Sequence, residues 1–150
     1  MPKLTQSYVR GADDEPLISD TIGNYFDSTA KRQSERLALV VRHQGVRWTY
    51  AELKQRVDDF AAGLLALGLD PGDRIGIWSP NNAEWTITQY ATAKAGLIQV
   101  NLNTAYRATE LVYAVNAADR SEDNIRRVPI FGKCTEKSSY QYIFFDREFS

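Results

Sequence analysis

The sequence predicts an α/β fold with a partly parallel sheet flanked by helices. Three observations predict it: two short apolar runs separated by a glycine turn, a capping box that opens an amphipathic helix, and, from Arg74 onward, strand-like and helix-like segments that alternate with short links. That alternation implies right-handed crossovers and parallel strands.

Residues 1–18 show no periodicity and read as an arm. A short helix is expected from Thr21, with Ile22, Tyr25, Phe26 and Ala30 on one face and Thr21 or Asp20 accepting from the first free N–H groups. Residues 37–41 are an apolar run, and Val46-Arg47-Trp48 follows His43-Gln44-Gly45, so the two segments read as a hairpin turning at Gly45. Thr49 and Glu52 then have capping-box spacing. Tyr50, Leu53, Val57, Phe60, Ala61, Leu64 and Leu65 form the stripe of the helix it opens, and Gly68 offers a left-handed stop.

Asp70-Pro71-Gly72-Asp73 is turn chemistry before a strand over residues 74–78. Ser79-Pro80-Asn81-Asn82 leads into a helix over residues 83–95 whose charges are only Glu84 and Lys94. A helix so apolar around its circumference needs cover on both sides. Gly96 closes it, residues 97–100 read as another buried strand, and Ala108, Leu111, Val112 and Val115 mark a further helix. Beyond Asn116 the chain turns charged and aperiodic, then ends in an aromatic cluster over residues 138–150 that completes no evident element.

Bulk properties narrow the function. The 150 residues are 43% hydrophobic and 25% charged, as in one globular domain. With 18 Lys and Arg against 19 Asp and Glu and no long run of either sign, there is no nucleic-acid or anionic-membrane footprint. Cys134 is the only cysteine, which excludes an internal disulfide and a cysteine-rich metal site. No transmembrane segment is expected, since every apolar stretch falls short of roughly 18 residues. The acidic Asp13, Asp14 and Glu15 argue against a secretory or transit peptide, so the default location is cytoplasmic.

Candidate chemistry is sparse. Neither G-x-x-x-x-G-K-[ST], G-x-G-x-x-G nor G-x-S-x-G occurs. Gly68, Gly72 and Gly76 flank a helix end, a turn and a strand, which is backbone punctuation. His43, the only histidine, sits in the hairpin turn, and the pairs Asp13/Asp14 and Asp58/Asp59 read as solvated charge. Trp48, Trp78 and Trp85 lie in or beside expected buried elements and read as core. No residue receives a catalytic, cofactor-binding or metal-binding role.

One series of residues goes further. Arg47-Trp48-Thr49-Tyr50-Ala51-Glu52-Leu53, then Gly68-Leu69-Asp70-Pro71-Gly72-Asp73-Arg74-Ile75-Gly76-Ile77-Trp78-Ser79-Pro80-Asn81, then Ala95-Gly96, Asn101-Leu102-Asn103-Thr104-Ala105-Tyr106-Arg107 and Glu110-Leu111-Val112-Tyr113 closely resembles the N-terminal subdomain of the AMP-forming acyl-CoA synthetases, most like their medium- to long-chain fatty-acid branch. The resemblance implies an incomplete N-terminal subdomain of the adenylate-forming fold over residues 19–116. It implies a reaction in which ATP and a fatty acid give an acyl-adenylate and pyrophosphate, Mg²⁺ offsets phosphate charge, and coenzyme A displaces AMP. The family's phosphate loop, ribose-binding aspartate and catalytic lysine have no counterpart in these residues, so fatty acid, ATP and coenzyme A are expected partners of the full-length family only.

Residues 117–150 depart from the pattern, as a frameshift, a mis-assigned exon or an insertion would produce. Elements deprived of the rest of their sheet would expose apolar surface and an open strand edge, favouring aggregation or association with a full-length synthetase. Three readings follow: a catalytically silent fragment, a regulatory module that docks on a full-length synthetase, and a stand-alone nucleotide-binding domain, which the missing phosphate loop disfavours.

Overall fold

The computed structural model describes residues 17–118, 130–132 and 141–143. Helix α1, Ile22–Arg32, starts as expected: the Thr21 hydroxyl accepts from the Asn24 N–H. Its buried face differs from the expected one. Gly23, Phe26 and Ala30 face inward, while Ile22 and Tyr25 are exposed. The inward side is chosen by how closely α1 can approach its neighbour, and a glycine permits the closest approach.

Strands β1, Leu37–Val41, and β2, Val46–Thr49, pair antiparallel around a single 3-10 turn, Arg42–Gln44, closed by Gly45 at φ 67°. Thr49 and Glu52 form the capping box in both directions at the start of α2, Tyr50–Ala66. Gly68 beyond its end has φ 81°, the left-handed stop. Leu53, Val57, Ala61 and Leu64 are buried, but Leu65, placed on the same stripe by spacing, is 48% exposed.

Strand β3, Arg74–Trp78, helix α3, Ala83–Ala95, and strand β4, Ile98–Asn101, form a strand–helix–strand unit with β3 and β4 parallel. As its apolar circumference requires, α3 is sandwiched, with α1 and α2 on one side and the sheet on the other. The core here joins Phe26, Leu53, Val57, Leu64, Ile75 and Ala91, with Trp48 packed against it from the hairpin. Helix α4, Ala108–Ala118, covers the other face of the sheet through Leu111, which joins Leu102, Trp78 and Val100 in a second, smaller cluster.

Two expectations about the sheet are corrected. β4 is an edge strand of the sheet order β4-β3-β5-β6, not a buried one, and Ile98 stands half exposed because nothing lies outside it among the described residues. The further helix marked by Ala108, Leu111, Val112 and Val115 is α4, on which Leu111 is buried and Val112 exposed, since one sheet face can cover only one side of the helix; the Val115 side chain lies outside the described residues. The stretch read as charged and aperiodic supplies a short strand, β5, Ile130–Gly132, parallel to β3, and the aromatic stretch over residues 138–150 supplies another, β6, Gln141–Ile143, antiparallel to β5. Periodicity cannot register strands of three residues. Among the described residues, no helix is long and apolar enough to cross a membrane.

Candidate functional site

In an open parallel sheet, ligands settle outside the carboxyl ends of the strands. Here that place is formed by the loop after β3, residues 79–82, and the loop after β4, residues 102–107. Leu102 N–H donates to the Ile77 carbonyl at 2.9 Å, and the Trp78 indole Nε1 donates to the Asn103 carbonyl at 3.0 Å, so the loop after β4 is tied to the end of β3.

The N-terminus of α3 opens onto this end, and free N–H groups there would suit an anion. They are not free. The Asn82 side chain accepts from Trp85 N–H at 2.8 Å, and Gln44, reaching from the hairpin, accepts from Ala83 N–H at 2.7 Å through Oε1. Gln44 Nε2 donates to the Glu84 carboxylate at 2.7 Å, and Asn82 Nδ2 donates to Ser79 Oγ at 2.8 Å. A phosphate would have to displace two neutral acceptors and sit beside the Glu84 carboxylate. This end of the sheet is a joint between hairpin and helix, and no spacing rule could have announced Gln44 from 39 residues away.

The glycines behave as punctuation. Gly68 and Gly72 have positive φ, Gly72 N–H donates to the Gly96 carbonyl at 2.8 Å, and Gly76 lies within β3. His43 is exposed on the 3-10 turn. Trp48 and Trp78 pack against the two clusters, and Trp85 is half-buried; the Arg56 guanidinium lies 4.3 Å from the Trp48 ring centroid. Asp13 and Asp14 lie outside the described residues. Among the described residues no three of His, Cys, Asp and Glu gather as a metal site would require.

Two features escaped the sequence reading. One is a shallow aromatic groove of about 330 Å³ where the start of α1 meets α2 and α3, lined by Tyr25, Tyr50, Tyr90, Thr29 and Asp20, with Phe26 stacked on Tyr90 at 4.3 Å between centroids. The other concerns Asp58, expected to be solvated. It receives the ammonium groups of Lys54 on its own helix and Lys94 on α3, while Asp27 on α1 lies 2.7 Å from Lys94 and 3.4 Å from Lys54. Four charges therefore clamp the three helices together at a half-exposed junction.

Partial burial works against the Asp58 charge, but hydrogen bonds and Coulomb attraction from Lys54 and Lys94 outweigh it and hold its pKa below the ordinary 3.8. Lys54 is raised above the ordinary 10.5, chiefly by its hydrogen bond to Asp58. A lowered carboxylate stabilises the fold above its unfolded pKa and ceases to do so as pH falls through the folded value; a raised lysine stabilises until pH climbs through its folded value. Between those limits the clamp is complete. Thermal unfolding followed from pH 7 down to pH 2 should show stability falling on the acid side, and Asp58→Asn should flatten that fall; an unchanged acid limb in the variant would remove the clamp as its cause.

The sequence model of the family described as "AMP-binding enzyme" matches residues 26–121. The human mitochondrial medium-chain acyl-CoA ligase ACSF2 is 50% identical over 109 residues, which is 73% of this chain and 18% of that protein. The putative acyl-CoA synthetase YngI of Bacillus subtilis is 39% identical over 103 residues, 69% of this chain and 19% of that one. Among solved structures, the N-terminal domain of FACL13 from Mycobacterium tuberculosis superposes with a TM-score of 0.65 at 30% identity, covering 67% of this chain and 26% of that domain. The chain thus spans about a fifth of the length of the curated relatives it matches. The mammalian and fish relatives are described as mitochondrial, so they lend no support to a cytoplasmic location.

Proposed function

Because this chain belongs to the AMP-binding enzyme family, we propose that it supplies the opening part of the N-terminal subdomain of a fatty-acyl-CoA synthetase and acts as scaffold, with no ligase activity of its own. The whole enzyme's reaction would convert ATP, a fatty acid and coenzyme A into acyl-CoA, AMP and pyrophosphate, and the medium-chain class named for its vertebrate relatives is the proposed substrate range.

The observation that carries the scaffold reading is the sealed end of α3. At the start of α3, where the chain leaving β3 offers a helix N-terminus to a phosphate, Gln44 and Asn82 already accept from Ala83 and Trp85. Four carboxylates that could attract Mg²⁺ are also engaged: Asp27 and Asp58 with lysines, Glu52 with Thr49 and Glu84 with Gln44. The residues at the start of α3 are poorly suited to the phosphates of ATP. The purified chain, given ATP, Mg²⁺, octanoate and labelled pyrophosphate, should show no fatty-acid-dependent pyrophosphate exchange beside a full-length medium-chain ligase assayed in parallel. Exchange that depends on octanoate and follows the protein peak through gel filtration would overturn the scaffold reading.

A second reading, a module that docks on a full-length synthetase, draws support from apolar groups left in solvent: Val112, and Tyr113 at 75% exposure, on α4, with Ile98 at the open edge of β4. Co-purification with a co-expressed full-length ligase, lost on Tyr113→Lys, would favour it.

A further inference from the structure

Three helices each carry one tyrosine to the same groove: Tyr25 from α1, Tyr50 from the first turn of α2 and Tyr90 from α3. Among the described residues that line it, the Asp20 carboxylate is the only charge, and no lysine, arginine or histidine is present. We propose that this groove is a binding site for a small organic cation of the quaternary ammonium class, with the tyrosine rings against its methyl groups and Asp20 supplying the opposite charge.

An ammonium whose charge is spread over methyl groups donates no conventional N–H hydrogen bond. It is held instead by the negative faces of aromatic rings and by a nearby carboxylate. Both are present here, and the carboxylate has capacity to spare. Thr21 N–H donates to Asp20 Oδ1 at 2.8 Å, and the second oxygen accepts from no described residue. Asp20 differs in this from Asp27 and Asp58, which are paired with lysines. The rings are also held in place. Tyr90 stacks on the buried Phe26, Tyr50 N–H donates to the Arg36 carbonyl at 2.9 Å, and the four-charge clamp ties together the helices that carry all three tyrosines. Rings fixed before the ligand arrives leave less ordering to be done on binding. An anion would meet the Asp20 charge, and the Asn24 N–H at the start of α1 already donates to Thr21. A long apolar chain suits the groove no better, since Ile18 and Ile22 are the only aliphatic side chains among its described lining. Its volume of about 330 Å³ lies at the lower end of ligand sites, which fits a molecule the size of a head group.

Choline chloride is the probe, titrated into the full 150-residue chain at constant ionic strength while the ring signals of Tyr25, Tyr50 and Tyr90 are followed by NMR. Its neutral control is the alcohol of the same shape in which carbon replaces the nitrogen. Choline should shift all three rings with half-saturation at about 1–30 mM, the range of an open site built on cation–π contacts, and the neutral alcohol should bind at least about tenfold more weakly. That comparison needs no variant. Tyr25 is exposed, so Tyr25→Leu keeps an apolar surface while removing one aromatic face, and it should weaken choline about two- to fivefold. Asp20→Asn keeps the acceptor for Thr21 N–H and removes the charge; it too should weaken choline about two- to fivefold, with the neutral alcohol changed by less than about twofold. No saturable ring shift up to about 100 mM choline would overturn the proposal. So would equal binding of choline and the alcohol, which would reduce the groove to an apolar crevice, or choline binding unchanged in both variants.

Discussion

Leu64→Ala should lower the unfolding free energy by about 2–5 kcal/mol, and Leu65→Ala, one residue further along the same helix, by no more than about 0.5 kcal/mol. Leu64 is 1% exposed and lies in the cluster that joins α2 to Ile75 of β3 and Ala91 of α3. Truncating it removes buried methyl groups and leaves a cavity between a rigid strand and two helices clamped by charges, where collapse is hindered. Leu65 has nearly half its surface in water, so its loss removes little contact. Domains of this size are stable by only about 5–15 kcal/mol, so the first change is expected to remove a large fraction of the whole. Urea unfolding, with the midpoint lowered and the slope unchanged, would identify a loss of native packing. Equal effects of the two substitutions would mean that α2 presents a different face to the core.

That pair also marks how far the sequence could be read. The local devices were legible: the Thr49–Glu52 capping box, the left-handed Gly45 and Gly68, the apolar belt of α3 and the parallel link from β3 to β4 all depend on residues close in sequence. Spacing gave Leu64 and Leu65 equal claim to the core, because a stripe drawn on a helix has a width and only the partner decides where burial stops. The edge position of β4 was illegible for a related reason. An apolar run of four residues reads alike whether one neighbour is present or two, and strand order is a property of the whole sheet.

The candidate site was harder still. Gln44 seals α3 across 39 residues, and Lys94 meets Asp27 across 67. A glutamine in a turn and a lysine near a helix end each have a sufficient local explanation, so nothing in the sequence asks for a distant partner. The absence of catalytic motifs was readable residue by residue. That two N–H groups at the start of α3 are also taken was not, and this sharpens the scaffold reading from missing parts to an occupied position.

Gly23 gives the clearest case in which a residue without a side chain sets the packing. Its glycine was invisible to any count of apolar residues, yet it faces inward on α1 where α1 crosses α3. A Cβ added there would lie 3.0 Å from Lys94 Cγ, 3.1 Å from Lys94 Cα and 3.4 Å from the Ala93 carbonyl oxygen. Two of those three are backbone atoms and cannot swing aside, so a large side chain must push α1 away from α3. Gly23→Leu is therefore expected to destabilise by about 1–3 kcal/mol through overpacking, with the 2.7 Å contact between Asp27 and Lys94 lengthened as well. Gly63→Leu is the matched control. It also lies inside a helix, a Cβ there meets nothing within 4 Å, and leucine is the better helix former, so it should stabilise by about 0.5–1 kcal/mol. The same chemical change then has opposite signs at two glycines, and only the distance to α3 distinguishes them. Urea midpoints that move in the same direction for both variants would show that helix propensity, and not the approach of α1 to α3, governs position 23.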